Sequence, residues 1–215
     1  MKIGVIGSGT VGQTLASGFL RHGHEAMIGT REPASGAMQK WAAANSKGKV
    51  GSFAEAAKFG EVVVVATAGK VAANAIEMAG KENFAGKVLI DVNNPIGDAP
   101  PADGVLSFFT GPNESLGEQI QALVPQARVV KAFNSVGAGK MVNPHYEQGT
   151  PTMFIAGNDA AAKKTVTGLL REFAWEAFDC GGIAAARAIE PLCMLWCIPG
   201  FRQNMWTHAF KLLTH

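Results

Sequence analysis

Lys2-Ile3-Gly4-Val5-Ile6 runs directly into Gly7-Ser8-Gly9-Thr10-Val11-Gly12, and this stretch decides the fold. The first five residues read as a short apolar strand. The glycines then make a tight turn, and Val11, Leu15 and Phe19 fall on one face of the helix that follows, which stops at Gly23. A chance G-x-G-x-x-G is common in a chain with 26 glycines. Placed between a strand and a helix in one βαβ unit, it is a dinucleotide-binding signature. Gly7 permits the turn, Gly9 lets the backbone approach a pyrophosphate, and Gly12 brings the helix close to the sheet. The helix N-terminus offers free N–H groups and partial positive charge to phosphate. Ser8, Thr10 and Val11 complete this contact set.

The next strand, Glu25–Ile28, ends at Gly29-Thr30-Arg31. NAD binders carry an acidic residue roughly 20 positions beyond the motif to hold the ribose 2′-hydroxyl. A carboxylate there repels a 2′-phosphate, whereas the Arg31 guanidinium can clamp one in bidentate fashion and Thr30 adds a hydroxyl. The reading is NADP. Glu32, one residue later, keeps an alternative open, because a shifted register would bring it to the ribose.

Strand-like and helix-like patterns alternate through the rest of the chain. Lys49–Gly51 reads as a very short strand, Phe53–Phe59 as a short helix, and Val62–Ala66 as a strand apolar on both sides, as buried parallel strands are. A helix over Val71–Ala79, a strand at Val88–Val92, a helix at Leu116–Leu123 and a strand at Val129–Phe133 follow. Two further strands, Met153–Ala156 and Glu176–Asp179, flank a helix at Ala160–Phe173. From Ile183 onward the pattern is helical, broken at Pro199-Gly200. This order predicts an α/β, doubly wound, mainly parallel sheet of the Rossmann type, order 3-2-1-4-5-6, with helices on both faces. Residues 1–182 form the dinucleotide-binding domain and 183–215 a C-terminal helical segment. Ligands lie across the carboxyl ends of such strands. Those ends read Thr67-Ala68, Asn93-Asn94-Pro95 and Asn134-Ser135, small or amide-bearing groups suited to a flat carboxamide ring and its ribose.

The 215 residues and 47% hydrophobic content allow a sizeable core, and a net charge of +2 gives no reason to expect nucleic acid or an anionic membrane. No apolar run near the N-terminus serves as a signal peptide. The longest, Leu192–Ile198, falls short of the roughly 20 residues of a membrane span. A cytoplasmic protein with no membrane partner is expected. Cys180, Cys193 and Cys197 read as reduced thiols. Cys193 and Cys197 share a helix face at i, i+4, but with no His or Asp beside them they are a poor metal site, and no metal is expected. The charged share is 17%, and Ile183–Ile198 is apolar on several sides. A homodimer is expected, in which this segment lines the acceptor pocket or meets the other subunit.

Catalytic groups are hard to find. The single tyrosine, Tyr146, has Thr150 rather than a lysine four residues on, so the tyrosine–lysine acid pair of short-chain dehydrogenases is missing. His145 and Lys131 are the residual acid/base candidates. Such poverty is tolerable where the hydride acceptor is itself a conjugated cofactor and positioning supplies most of the catalysis.

Gly4-Val5-Ile6-Gly7-Ser8-Gly9 with Gly29-Thr30-Arg31, Asp91-Val92-Asn93-Asn94-Pro95 and Val130-Lys131-Ala132-Phe133-Asn134 resembles the NADP-dependent reductases of the deazaflavin coenzyme, coenzyme F-420. The same domain recurs in membrane ferric reductases of the six-transmembrane epithelial antigen group. Arg187-Ala188-Ile189-Glu190-Pro191-Leu192 and Ala209-Phe210-Lys211-Leu212-Leu213 look like the bacterial branch. The resemblance spans essentially the whole chain. It implies eight strands, the last two running opposite to the rest, and hydride transfer between NADP and a deazaflavin- or flavin-like partner near the nicotinamide. Ser135, Val136 and Met141 are its substrate-side candidates. Pro199-Gly200-Phe201-Arg202-Gln203-Asn204-Met205 departs from the branch's pattern, which leaves the second substrate open. Two alternatives stand beside this reading. One is an imine or small-carbonyl reductase using His145 or Tyr146 as proton donor. The other is a non-catalytic NADP sensor.

Overall fold

The computed structural model describes residues 1–213. Eight strands form one sheet in the order β3-β2-β1-β4-β5-β6-β7-β8. They are β1 (Lys2–Ile6), β2 (Glu25–Gly29), β3 (Lys49–Gly51), β4 (Val62–Val65), β5 (Val88–Asp91), β6 (Arg128–Lys131), β7 (Thr152–Gly157) and β8 (Glu176–Asp179). β1 to β6 are mutually parallel; β7 pairs antiparallel with β6, and β8 lies parallel to β7. The expected reversal of the last two strands is therefore present.

Alternation along each strand divides the core into two layers. Val62 and Val64 of β4 face one side with Ile3, Val5, Ile90 and Val130. Val63 and Val65 face the other with Ile6, Leu89 and Val129. Helix α1 (Thr10–Arg21) covers the first layer through Leu15, Ala16 and Phe19. Helix α6 (Ala160–Glu172) joins it through Val166, Leu169 and Leu170. The second layer is covered by α3 (Phe53–Phe59), α4 (Ala72–Ala79) and α5 (Leu116–Leu123). Full burial of each large aliphatic or aromatic side chain contributes roughly 1.5–3 kcal/mol. Side-chain caps fix where these helices begin. Ser52 and Glu55 form a reciprocal capping box, the Ser115 hydroxyl accepts the Glu118 N–H, and Asp159 accepts the Ala162 N–H at 2.7 Å.

Three features differ from the sequence pattern, the third being the course of residues 204–213. Helix α2 (Gly36–Ala44) buries only Met38 and Trp41, so its periodicity is too sparse to see; the Trp41 Nε1–H reaches Ser17 Oγ at 2.9 Å and holds it against α1. The C-terminal helix does not break at Pro199-Gly200. After α7 (Ala186–Ile189), helix α8 runs through Pro191–Gln203 and ends one turn later at Asn204, which is left-handed (φ 52°). Proline removes only one helical hydrogen bond. The carbonyl it deprives belongs to Leu195, whose residue is exposed. Gly200 is required there for another reason: a Cβ would lie 2.3 Å from the Trp206 ring.

Residues 204–213 are not helical but return along the fold, the Thr152 N–H donating to Phe210 O and the Leu212 N–H to Thr152 Oγ1. Thr214 and His215, also within the expected helical segment, lie outside the described residues. Ile183–Gln203 has the length and mean hydropathy (21 residues, 1.3) of a membrane span. It nevertheless buries Cys193, Trp196 and Cys197 with Leu106 in a third cluster of the protein's own core.

Candidate cofactor site

A cleft of about 910 Å³ opens across the carboxyl ends of β1, β2, β4 and β5. Its floor is the turn from β1 to α1. Gly7 has φ +125°, which a side chain tolerates poorly, and donates its N–H to Gly29 O at 3.0 Å. A Cβ on Gly9 would meet nothing within 4 Å and would point into open space, whereas one on Gly12 would lie 2.0 Å from Gly7 O. Gly9 thus leaves room for a ligand, and Gly12 lies beneath the floor. No side chain caps the N-terminus of α1. Its orphan N–H groups and dipole are left for an anion.

At one end stand Thr30, Arg31 and Glu32. The Thr30 hydroxyl is buried and engaged in its own loop, sharing a hydrogen bond with Ser8 Oγ at 3.0 Å and accepting the Glu32 N–H. Arg31 and Glu32 are exposed, and neither forms an ion pair among the described residues. The opposite wall holds Thr67, Ala68, Asn93 and Asn94, with Lys70 and Asp98 ion-paired at its rim. The Asn94 side chain donates to Asn134 O at 2.9 Å, which fixes the orientation of its amide. Its Oδ1 is then left buried without a partner, an acceptor suited to a carboxamide N–H. An open space at Gly9, an unpaired arginine at one end and an orphan acceptor at the other fit an NADP dinucleotide.

The remaining sequence candidates lie around the cleft rather than on its surface. Pro95 is not part of the wall. Asn134, Ser135 and Val136 are buried behind it, and Met141 belongs to the core, its carbonyl accepting the Trp175 Nε1–H. His145 is exposed, and neither it nor Tyr146 lines the cleft. Burial raises the Tyr146 phenol pKa, and the hydroxyl has no partner. Among the described residues no histidine, tyrosine or cysteine lines the cleft, and no group of three metal-ligating side chains occurs. Cys193 and Cys197 are free and buried; the neighbouring Cys197 thiol and burial both push the Cys193 thiol pKa upward.

Lys131 is fully buried. Its Nζ lies 2.8 Å from both Asp91 Oδ2 and Glu190 Oε1 and donates to Asn93 O. Burial opposes the ammonium, but Asp91 and Glu190 more than offset it and hold the lysine pKa above its ordinary value. Lys131 is thus a brace between two carboxylates. Asp91 Oδ1 accepts both the backbone and side-chain N–H of Asn93, and Asn93 Oδ1 accepts the Thr67 N–H at 2.9 Å. The Glu190 carboxylate also caps α5, accepting the Leu116 and Gly117 N–H groups at 3.0 and 2.9 Å. The sequence motifs contain Asp91 and Glu190 but give neither a role. Opposite charges at the ends of two apolar strands were the available signal, since Asp91 and Lys131 are register partners in β5 and β6. Nothing in the spacing could place Glu190 beside them.

Comparison with known proteins agrees with this geometry. Residues 2–95 match the family described as coenzyme F420-dependent NADP oxidoreductase. The crystal structure of a candidate F420-dependent NADP reductase from Arthrobacter sp. FB24 superposes with a TM-score of 0.93 at 36% identity, covering all of both chains. Metalloreductase STEAP3 of Rattus norvegicus is 30% identical over 203 residues, 92% of this chain but 38% of that protein. An imine reductase from Streptomyces aurantiacus, 17% identical with a TM-score of 0.67 over 94% of this chain and 63% of its own, shares the fold. With the cleft, its free arginine and a full-length relative all in agreement, the chain belongs to the F420-dependent NADP oxidoreductase family.

Proposed function

We propose that this protein passes a hydride between NADP(H) and a deazaflavin- or flavin-like acceptor. The observation that carries the proposal is that, among the described residues, the cleft holds no histidine, tyrosine or cysteine and its titratable side chains stand only at its adenosine end and its rim. Its titratable side chains are Arg31, Glu32, Lys70 and Asp98, two at the adenosine end and two tied to each other. Reduction of a carbonyl or imine requires a proton donor at the reacting atom. Transfer to a conjugated ring needs mainly alignment and exclusion of water. When bound, NADPH supplies the hydride from its nicotinamide ring. Arg31 binds the 2′-phosphate, the Gly7–Gly12 turn and the start of α1 bind the pyrophosphate, and Asn94 Oδ1 orients the carboxamide. The alternative reading, an imine reductase with His145 or Tyr146 as proton donor, finds neither residue on the cleft wall.

Stopped-flow mixing of the protein with NADPH and a deazaflavin, a flavin or a quinone tests this. Oxidation faster than the uncatalysed rate with one of these acceptors is expected, and none with any of them overturns it. We further propose a homodimer. Leu195, Phe201, Met205 and Trp206 are large, exposed and close in sequence on and after α8, an apolar surface of the kind that subunit contacts cover. Light scattering at micromolar concentration should give twice the 22.5 kDa chain mass; a monomer overturns it.

A further inference from the structure

Two independent hydrogen-bonded routes join the start of α8 to the ring end of the cleft. In the first, Glu190 holds Lys131, which holds Asp91 and Asn93 O. Asp91 in turn fixes the Asn93 side chain, and Asn93 fixes Thr67. In the second, Asn134 Nδ2 donates to Ile189 O at 2.8 Å while Asn134 O accepts from the Asn94 side chain. Adjacent residues 189 and 190 are thereby tied to adjacent residues 93 and 94. Every link of both routes is buried or partly buried, where such bonds are strong and a missing partner is costly.

Stability alone does not account for this arrangement. A buried ion pair is often no better for stability than apolar residues of the same size. Here one ammonium holds two carboxylates, and the second is additionally balanced by the N–H groups opening α5. Asn93 has given its carbonyl, its amide oxygen and its backbone N–H to the protein, so it acts as a fixed strut of the wall. Asn94 keeps an unpaired acceptor, and the second route determines where that acceptor points.

We infer that Asp91, Lys131 and Glu190 are positioning residues for the nicotinamide end of the cleft, coupling the seat of α8 to the placement of Asn93, Asn94 and the Thr67–Ala68 wall. The inference rests on the reading of this cleft as the NADP site. Its signature is selectivity within one ligand: loosening the triad weakens contacts at the ring end and leaves the adenosine end, on Arg31 and the β1–α1 turn, as it was.

The test compares NADPH with adenosine 2′,5′-bisphosphate, which carries the 2′-phosphate and adenine but no nicotinamide. Both are titrated into full-length wild type, Glu190→Ala, Glu190→Gln and Asp91→Asn. The triad touches the ligand only through the wall it braces, so its loss reaches affinity through the contacts at the ring end. NADPH should bind several-fold more weakly to Glu190→Ala and Asp91→Asn, with the bisphosphate changed less than twofold. Glu190→Gln retains an acceptor for the α5 N–H groups and should recover part of the loss. Should Glu190→Ala fail to fold, the other two variants carry the same comparison. Equal weakening of both ligands, or of neither, overturns the positioning role. If wild type binds neither ligand, the cofactor reading itself falls, a result distinct from an unchanged NADPH-to-bisphosphate ratio.

Discussion

Trp196 and His208 stack at 5.0 Å between ring centroids, 22° apart in plane, while the Trp196 Nε1–H donates to the His208 carbonyl at 2.9 Å. One indole thus fastens the returning tail to α8 by both its face and its edge. Trp206 and Phe201 extend the same aromatic group, with centroids 5.7 Å and 5.1 Å apart in successive pairs. Truncating a buried tryptophan to alanine costs roughly 3–5 kcal/mol. Trp196→Ala should release residues 204–213 and expose Arg202 and Lys211 to trypsin much faster than in wild type. Trp196→Phe keeps most of the packing and loses the donor, at a cost of about 1 kcal/mol. Cleavage rates followed by mass spectrometry give the order wild type, Phe, Ala; equal rates would show that Trp196 does not hold the tail.

Gly9 and Gly12 belong to one motif but should fail in different ways. A methyl group on Gly9 meets no protein atom, and the backbone there (φ −73°) suits alanine. Gly9→Ala should keep the wild-type melting temperature while losing NADPH affinity, because the methyl occupies the space a pyrophosphate needs. A methyl on Gly12 collides with the Gly7 carbonyl, and overpacking of this kind costs about 1–3 kcal/mol or more. Gly12→Ala should lower both melting temperature and affinity. Thermal melts with and without NADPH separate the two, and parallel behaviour of the variants would refute the distinction.

Much of this is legible in the sequence. β1, the glycine turn and α1 are short-range features, and apolar runs such as Val62–Val65 announce strands buried on both faces. What could not be read depends on long-range docking. Glu190 acquires its meaning only when α8 lands on β6, 59 positions back at Lys131. Asn134 ends a strand, as a ligand contact would, but the partner of its amide nitrogen, Ile189 O, lies 55 positions on and could not be read locally. Pro199-Gly200 carries a stop signal, but the helix continues because the one carbonyl the proline deprives belongs to exposed Leu195.

The Arg187–Glu118 pair offers a prediction in pH. Arg187 Nε and Nη2 reach the two Glu118 carboxylate oxygens at 2.9 and 2.6 Å, linking α7 to α5. This bidentate contact, helped by Ser115, holds the Glu118 pKa below its ordinary value of 4.5. A depressed carboxyl pKa contributes stability that is present above the unfolded value and lost as pH falls through the folded one. Wild type should therefore exceed Arg187→Ala in stability at pH 6, and the gap should close progressively below about pH 4.5. Both groups face solvent, so the gap should be small and should shrink further in high salt. Urea denaturation at a series of pH values measures it; a gap that widens in acid would reverse the assignment.

Arg31 gives the sharpest test of the cofactor assignment. It lines the cleft, is exposed, and has no acidic partner among the described residues, while Glu32 beside it lines the same cleft. If the guanidinium binds a 2′-phosphate, Arg31→Ala removes a charge-assisted contact of roughly 1.5–3 kcal/mol. At about 1.4 kcal/mol per factor of ten, NADPH affinity should fall on the order of ten- to a hundredfold, with NADH nearly unchanged. The loss should diminish as salt screens the pair. Arg31→Asp should go further, since its carboxylate repels the 2′-phosphate and can accept from the ribose hydroxyls of NADH. If Glu32 instead holds the ribose, wild type prefers NADH, and Glu32→Gln lowers its affinity for NADH more than for NADPH. Fluorescence titration of both cofactors into wild type and the three variants separates these cases. Equal loss of NADPH and NADH in Arg31→Ala would make Arg31 a structural residue and remove the main physical support for NADP in this cleft.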